Sequence, residues 1–167
     1  RPEPIKVHLP LSVEDSLKHT QVANGLDISL FASEELGLYS VIEIDWDERG
    51  RAWVIETRDY PNELKPAELG KDRIRILEDT DGDGKADKAI LFADKLSIPT
   101  GMCFARGGLI VQMAPHFLFL KDTDGDDKAD VREILFSGWS TGDTHAGPSN
   151  LKYGFDNWIW GVMGYAG

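Results

Sequence analysis

From residue 26 onward, apolar and polar side chains alternate along most of the chain, which is the period of half-buried β-strands. The alternation predicts strands over residues 26–32, 40–46 and 52–56, the last two joined as a hairpin by the turn Asp47-Glu-Arg-Gly50. After a loop at 57–71, further strands are predicted at 73–77 and 88–92. The layout then returns, with strands at 101–104, 109–113, 117–120 and 131–136. A third round begins at 149–153, turns at Gly154-Phe-Asp-Asn157 and continues at 158–161. Residues 1–25 are polar and proline-punctuated and read as an N-terminal extension. Within it, Ser12 and Asp15 have the spacing of a capping box, predicting a short helix at 12–17.

The recurrence is close to verbatim in one place. Asp79-Thr-Asp-Gly-Asp-Gly-Lys-Ala-Asp87 comes back 43 residues later as Asp122-Thr-Asp-Gly-Asp-Asp-Lys-Ala-Asp130. A repeat of roughly 40 to 50 residues is the length of one four-stranded propeller blade. The expected fold is therefore all-β: a β-propeller of four-stranded meander blades occupying residues 26–167, with units at about 40–93, 100–136 and 149–167. Two complete units and half of a third cannot close a ring, because propellers need at least about four blades to hide their strand edges. The expectation is thus an incomplete segment of about two and a half blades from a longer protein.

The repeated loops also carry chemistry. Asp79, Asp81, Asp83 and Asp87, and in the second loop Asp122, Asp124, Asp126 and Asp130, occupy the first, third, fifth and ninth positions. Ca²⁺ takes six to eight oxygen ligands from tightly turning backbone, and the carbonyls of Lys85 and Lys128 at the seventh position can add to the carboxylates. Calcium is the cofactor these loops predict. An EF-hand is excluded, since position twelve is Ile90 in the first loop and Glu133 in the second, and the flanks have a strand period. The competing reading is a solvated Asp-Gly turn without metal, which mutual repulsion of four carboxylates within nine residues opposes. The sixth position needs φ > 0; it holds Gly84 in the first loop and Asp127 in the second, so the first site is expected to be tighter.

Charge narrows the partners. With Asp+Glu 29 against Lys+Arg 18, the net charge of −11 repels nucleic acid and anionic membrane surfaces. No window approaches the ~18 apolar residues of a membrane span. The single cysteine, Cys103, excludes an internal disulfide and reads as a small buried hydrophobe. The five Trp fall mostly on predicted strands, where core packing is the expected use. Gly-rich dinucleotide loops, a Ser-His-Asp order, zinc clusters and a Cys-x-x-Cys-His haem site are all absent from the sequence.

In a meander blade, loops alternate between the two mouths of the ring. The acidic loops join third to fourth strands and share one mouth. Arg58-Asp-Tyr-Pro61, Ile98-Pro-Thr100, Ala114-Pro-His116 and the segment 137–148, with its Gly142-Asp-Thr-His145, share the other. Calcium then reads as structural, and titratable groups gather at the opposite mouth. His145 is a candidate general base or a loop cap; His116 is a candidate contact or packs against Phe117; Arg58 and Asp59 are candidate contacts or a surface ion pair.

Residues 47–61, the loop Asp79–Asp87 and Gly142-Asp-Thr-His145 resemble the N-terminal part of a bacterial family, the membrane-bound dehydrogenase domain of planctomycetes and verrucomicrobia. That family is similar to the sorbosone and soluble glucose dehydrogenases, over about residues 12–167 of this chain. The resemblance implies a six-bladed propeller that uses pyrroloquinoline quinone, a sugar or alcohol substrate, and a periplasmic or secreted location. It also implies a haem c domain or cytochrome as electron acceptor. The stretch 145–151 with Gly154-Phe-Asp-Asn-Trp-Ile-Trp-Gly161 is similar to the segment holding the catalytic His, which makes His145 the expected base for the substrate hydroxyl. Arg58, Asp59 and His116 are the expected quinone contacts. Two other readings stay open: a non-enzymatic, calcium-stabilised propeller scaffold, and a calcium-dependent carbohydrate-active lyase.

Overall fold

A computed structural model describes residues 9–61, 64–66 and 68–165. The first eight residues of the expected extension, 62–63 and 67 of the first long loop, and 166–167 of the expected third unit lie outside the described residues. The chain is all-β. Strands β1 (Val41–Trp46), β2 (Ala52–Glu56), β3 (Asp72–Glu78) and β4 (Lys88–Leu96) form one antiparallel sheet in chain order. β5 (Gly101–Ala105), β6 (Gly108–Met113), β7 (His116–Lys121) and β8 (Val131–Ser137) repeat that meander. β9 (Ser149–Tyr153) and β10 (Ile159–Val162) form a hairpin, and β5 lies beside both β1 and β9.

The period of two that predicts the strands also builds the core. Trp53 and Ile55 of β2 and Ile74 and Ile76 of β3 project to one side, where they meet Leu109, Val111, Leu118 and Leu120 from the second sheet. The intervening Ala52, Val54 and Leu77 project to the other side and pack with Ala86 against Phe31, Ala32, Leu36 and Leu38. Each fully buried aliphatic side chain of this kind stabilises by about 1.5–3 kcal/mol. Cys103 is buried as expected, and burial raises its thiol pKa.

Two expectations fail on the N-terminal side and at the ends of the stack. Residues 26–32, predicted as a strand, form none. Their Phe31 carbonyl accepts the Ala86 N–H at 2.7 Å, and the segment lies over the face of the first sheet. Leu26 and Ile28 of the alternating set are 64% and 48% exposed, and the segment packs on the sheet at its end, through Phe31 and Ala32. The second acidic loop is met the same way, its Ala129 N–H donating to the Phe92 carbonyl on β4 at 2.9 Å. Of the tryptophans expected in the core, Trp53 is buried, whereas Trp46, Trp158 and Trp160 are 51%, 71% and 61% exposed. They lie on β1 and on the β9–β10 hairpin, the two ends of the sheet stack. The capping-box helix forms as α1 (Val13–His19), with Ser12 as N-cap accepting the Asp15 N–H, and buries no residue.

An ionic cluster pins residues 36–39 down. Glu56, with no solvent exposure, accepts Arg73 Nε and Arg75 Nε, each at 2.8 Å, and the Tyr39 N–H at 2.8 Å. The same arginines donate onward to the carbonyls of Gly37 and Leu36. Breaking such a buried pair by removing one partner costs about 3–5 kcal/mol.

Where the inner strands meet, Glu43 on β1 accepts the Met102 N–H of β5 at 2.9 Å, and Asp45 lies 3.9 Å from Lys152 of β9. Burial pushes the Glu43 carboxyl up to about 7, against the opposing pull of Lys152 and the Met102 N–H. Its folded pKa exceeds its unfolded one, so the folded state holds the proton longer. Stability from this group therefore falls as pH rises between about 4.5 and about 7. Glu43→Gln keeps an acceptor for Met102 and removes the charge. It is expected to match the parent near pH 4 and to exceed it by about 1–2 kcal/mol at pH 8, after allowance for partial exposure. Denaturant unfolding across that range checks this, and a variant weaker than the parent at pH 8 contradicts it.

Candidate functional site

The two acidic loops close on themselves by the same hydrogen bonds. Asp79 accepts the N–H groups of Gly82 and Gly84 at 2.7 and 2.8 Å; Asp122 accepts those of Gly125 and Asp127 at the same distances. Those N–H groups hold both carboxyls below the usual carboxylate range, Gly84 contributing most at Asp79 and Gly125 at Asp122. Asp81 and Asp83, and likewise Asp124 and Asp126, each accept the N–H two residues on. Carboxylate oxygens of Asp79, Asp81 and Asp83 lie within 4.8 Å of one another, as do those of Asp122, Asp124 and Asp130.

The remaining expected ligands are placed differently. Asp87 accepts the Thr80 hydroxyl at 2.7 and 2.9 Å, whereas Asp126 is paired with the Lys128 ammonium at 2.7 Å. The first loop thus gathers its first, third and fifth carboxylates and the second its first, third and ninth. Lys85 and Lys128 are exposed at the loop tips. These oxygen-only, charged sets fit a hard divalent cation such as Ca²⁺.

Asp127 has a role that spacing alone does not reveal. Both sixth positions adopt the left-handed conformation, φ 87° at Gly84 and 63° at Asp127. The Asp127 carboxylate accepts Arg51 Nη1 at 2.8 Å, and Arg51 Nε donates to Asp47 Oδ2 at 2.8 Å. Trp53 Nε1 donates to that same Asp47 oxygen at 3.0 Å. Arg51 therefore ties the β1–β2 turn of the first sheet to the acidic loop of the second, at the mouth where both loops lie. A cavity of about 410 Å³ opens beside this tie, lined by Trp53, Phe104, Arg106 and Tyr153 among others.

At the opposite mouth, Asp72 is fully buried and organises the loops. One oxygen accepts the N–H groups of Arg58 and Asp59; the other accepts the Thr57 hydroxyl and the Ile98 N–H. Arg58 and Asp59 consequently diverge and do not form the ion pair weighed above. The exposed Arg58 guanidinium stacks on the Tyr39 ring at 3.9 Å, while Asp59 is buried and accepts the Lys71 N–H at 3.0 Å. His116 opens β7 and meets the Ser137 hydroxyl of β8 at 2.8 Å. Among the three expected quinone contacts, only Arg58 presents an exposed cation to an anionic group.

His145 lies beside loop 57–61. Asp143 Oδ1 accepts the His145 N–H at 2.8 Å and lies 3.1 Å from its Nδ1. The Tyr165 hydroxyl donates to Asp143 Oδ2 at 2.7 Å, and this bond contributes most to holding the Asp143 carboxyl below the usual range. The Tyr60 ring meets the imidazole edge-on at 5.4 Å, and the Thr144 hydroxyl donates to the Pro61 carbonyl at 3.1 Å. Loop 140–148 is thereby latched to loop 57–61. Asp143 stands in the quoted Gly-Asp-Thr-His motif, where an Asx-turn spacing marks it. Tyr165 and Asp72 carry no such signal, because their partners are distant in sequence.

The family model for a domain of unknown function (DUF7133) matches residues 12–167. The chain belongs to this family. No curated protein and no solved structure matches it. The family assignment covers both acidic loops and the His145 mouth, so the two features occur within one domain.

The Arg51 tie generates a prediction about Asp127. Asp127→Gly removes the left-handed strain, about 1–2 kcal/mol, but deletes a charge-assisted bond to a nearly buried guanidinium, about 1.5–3 kcal/mol. The expected net result is a loss of about 1 kcal/mol in denaturant unfolding, with little change in calcium affinity at the second loop. A stabilised Asp127→Gly protein shows that the tie contributes less than the left-handed strain costs.

Proposed function

We propose that the chain contributes to a calcium-binding β-propeller of the quinoprotein type that oxidises a sugar or alcohol. The ring reading is supported by two meander units and a hairpin whose first strands lie side by side. It is further supported by the shared way each acidic loop docks on a preceding Phe carbonyl. In such a ring the segment carrying Phe31 stands where the outer strand of the preceding blade belongs.

The observation that carries the catalytic reading is the His145 imidazole with Nδ1 at Asp143. This leaves Nε2 as the proton acceptor at a mouth remote from the acidic loops. A neutral imidazole suits a hydroxyl proton near neutral pH. Pyrroloquinoline quinone, when bound, would supply the hydride acceptor. Arg58 fits a carboxylate of such a group, while Asp59 holds the loop that carries it. Calcium at the acidic loops would serve stability.

A non-enzymatic scaffold is the second reading, and one observation favours it: the His145 side chain is 62% exposed and sits in no deep cavity, the neighbouring one beside Asp143 being about 20 Å³.

Calcium is expected to raise the melting temperature and to give a binding heat by titration calorimetry, since ligands of the folded state stabilise it by mass action. Asp81→Ala should weaken the first site, whereas Asp127→Ala leaves the second nearly intact. Absence of heat together with an unchanged melting temperature in excess EDTA removes the metal reading.

For the chemistry, His145→Gln in quinone-reconstituted protein should keep fold and calcium affinity and lower kcat by about 10²–10⁴-fold. Turnover near the parental rate refutes His145 as base, and failure of the parent to bind quinone favours the scaffold.

A further inference from the structure

Beyond the choice of His145, the same loop contains groups that the base assignment does not use. Asp143 Oδ1 serves two donors from His145, its backbone N–H and its ring, while Oδ2 receives Tyr165. A carboxylate fixed at both oxygens cannot turn away from the ring. An ionised carboxylate is acceptor-only, so the ring nitrogen facing it must be the one that carries hydrogen. On the other side, Tyr60 limits rotation of the imidazole, and the Thr144–Pro61 bond holds the loop against the one carrying Tyr60. Among the described residues, no protein group engages His145 Nε2.

We propose that Tyr165 and Asp143, with Tyr60 as a steric stop, are positioning residues that hold neutral His145 as its Nδ1–H tautomer and present Nε2 as the acceptor. The proposal rests on the reading of His145 as a base for its purpose, and not for its test. Unanchored imidazole favours the Nε2–H form, so the tautomer reports the anchoring directly. Tyr165 lies 20 residues beyond His145 on the far side of the β9–β10 hairpin, so the positioning couples the base to how that hairpin seats.

The test uses the 167-residue protein with ¹⁵N-labelled histidine, the His145 signal being assigned through His145→Gln. At alkaline pH, long-range ¹H–¹⁵N correlation is expected to show a pyrrole-type Nδ1 and a pyridine-type Nε2 for His145. Asp143→Ala should convert it to the Nε2–H form, and Tyr165→Phe should give a mixture of the two. Circular dichroism and calcium-dependent melting of both variants are expected to stay parental. A parental Nε2–H tautomer overturns the proposal, as does a tautomer unaltered in Asp143→Ala. Should Asp143→Ala fail to fold, an unaltered tautomer in Tyr165→Phe overturns the role of Tyr165. None of these outcomes needs quinone or substrate. Loss of the dehydrogenase reading, seen as a parent that binds no quinone, therefore leaves the tautomer result standing and is distinguishable from its failure.

Discussion

Asp72 is the constraint on which the arrangement of the loops around His145 depends. Its carboxylate is removed from solvent and accepts hydrogen bonds from Thr57, Arg58, Asp59 and Ile98. Burying a charge without partners costs several kcal/mol, and four donors are what make this one tolerable. The bonds bend residues 57–59 back over the end of β3 and force Ile98 into a left-handed conformation, φ 51°, which a β-branched residue seldom adopts. One side chain thereby joins the loop after β2 to the connection between the two sheets. From that junction follow the outward turn of Arg58, the inward turn of Asp59, and the position of Tyr60 against His145.

The two mouths are built by different physics. At the acidic loops, local geometry dominates: carboxylates satisfy N–H groups two to seven residues away, and each loop would take nearly the same shape in any hairpin. The Arg51–Asp127 pair and the Ala129–Phe92 bond reach between sheets there. At the His145 mouth almost every decisive contact is long-range, from Asp72 to Ile98, from Thr144 to Pro61, and from Tyr165 to Asp143. Locally closed loops suit a bound ion that needs preset oxygens. A site assembled from distant loops depends on how the sheets are seated against one another.

This division also explains how much was legible in the sequence. Strand alternation marks nine of the ten strands among the described residues to within a few residues at each end, because alternate side chains such as Leu109 and Val111 of β6 and Leu118 and Leu120 of β7 enter the core. β4 is the exception, continuing to Leu96, past the expected end at 92, since Leu96 is buried beside Asp72. At 26–32 the alternation misleads: Leu26 and Ile28 stay largely exposed, the adjacent Phe31 and Ala32 both pack on the first sheet, and no ladder forms. In the acidic loops, spacing located the carboxylates but not which of them converge. Asp126 is held by the Lys128 ammonium, whereas Asp87 and Asp130 accept the equivalent Thr80 and Thr123 hydroxyls and yet Asp130 alone of the two joins its cluster, a difference these partners do not explain.

Asp127 shows why a departure from a repeat can be more informative than the repeat itself. Read against Gly84, an aspartate at a left-handed position looks like a weakened loop. Its carboxylate instead reaches a nearly buried arginine in the neighbouring sheet, so the position exchanges backbone ease for a contact between units. Beside the first loop lies the segment carrying Phe31, whose carbonyl accepts the Ala86 N–H. Glycine at 84 and aspartate at 127 are thus two solutions to one turn, chosen by what lies beside each loop. The backbone closure onto Asp79 and Asp122 is shared, and the difference at the sixth position belongs to the seam between sheets.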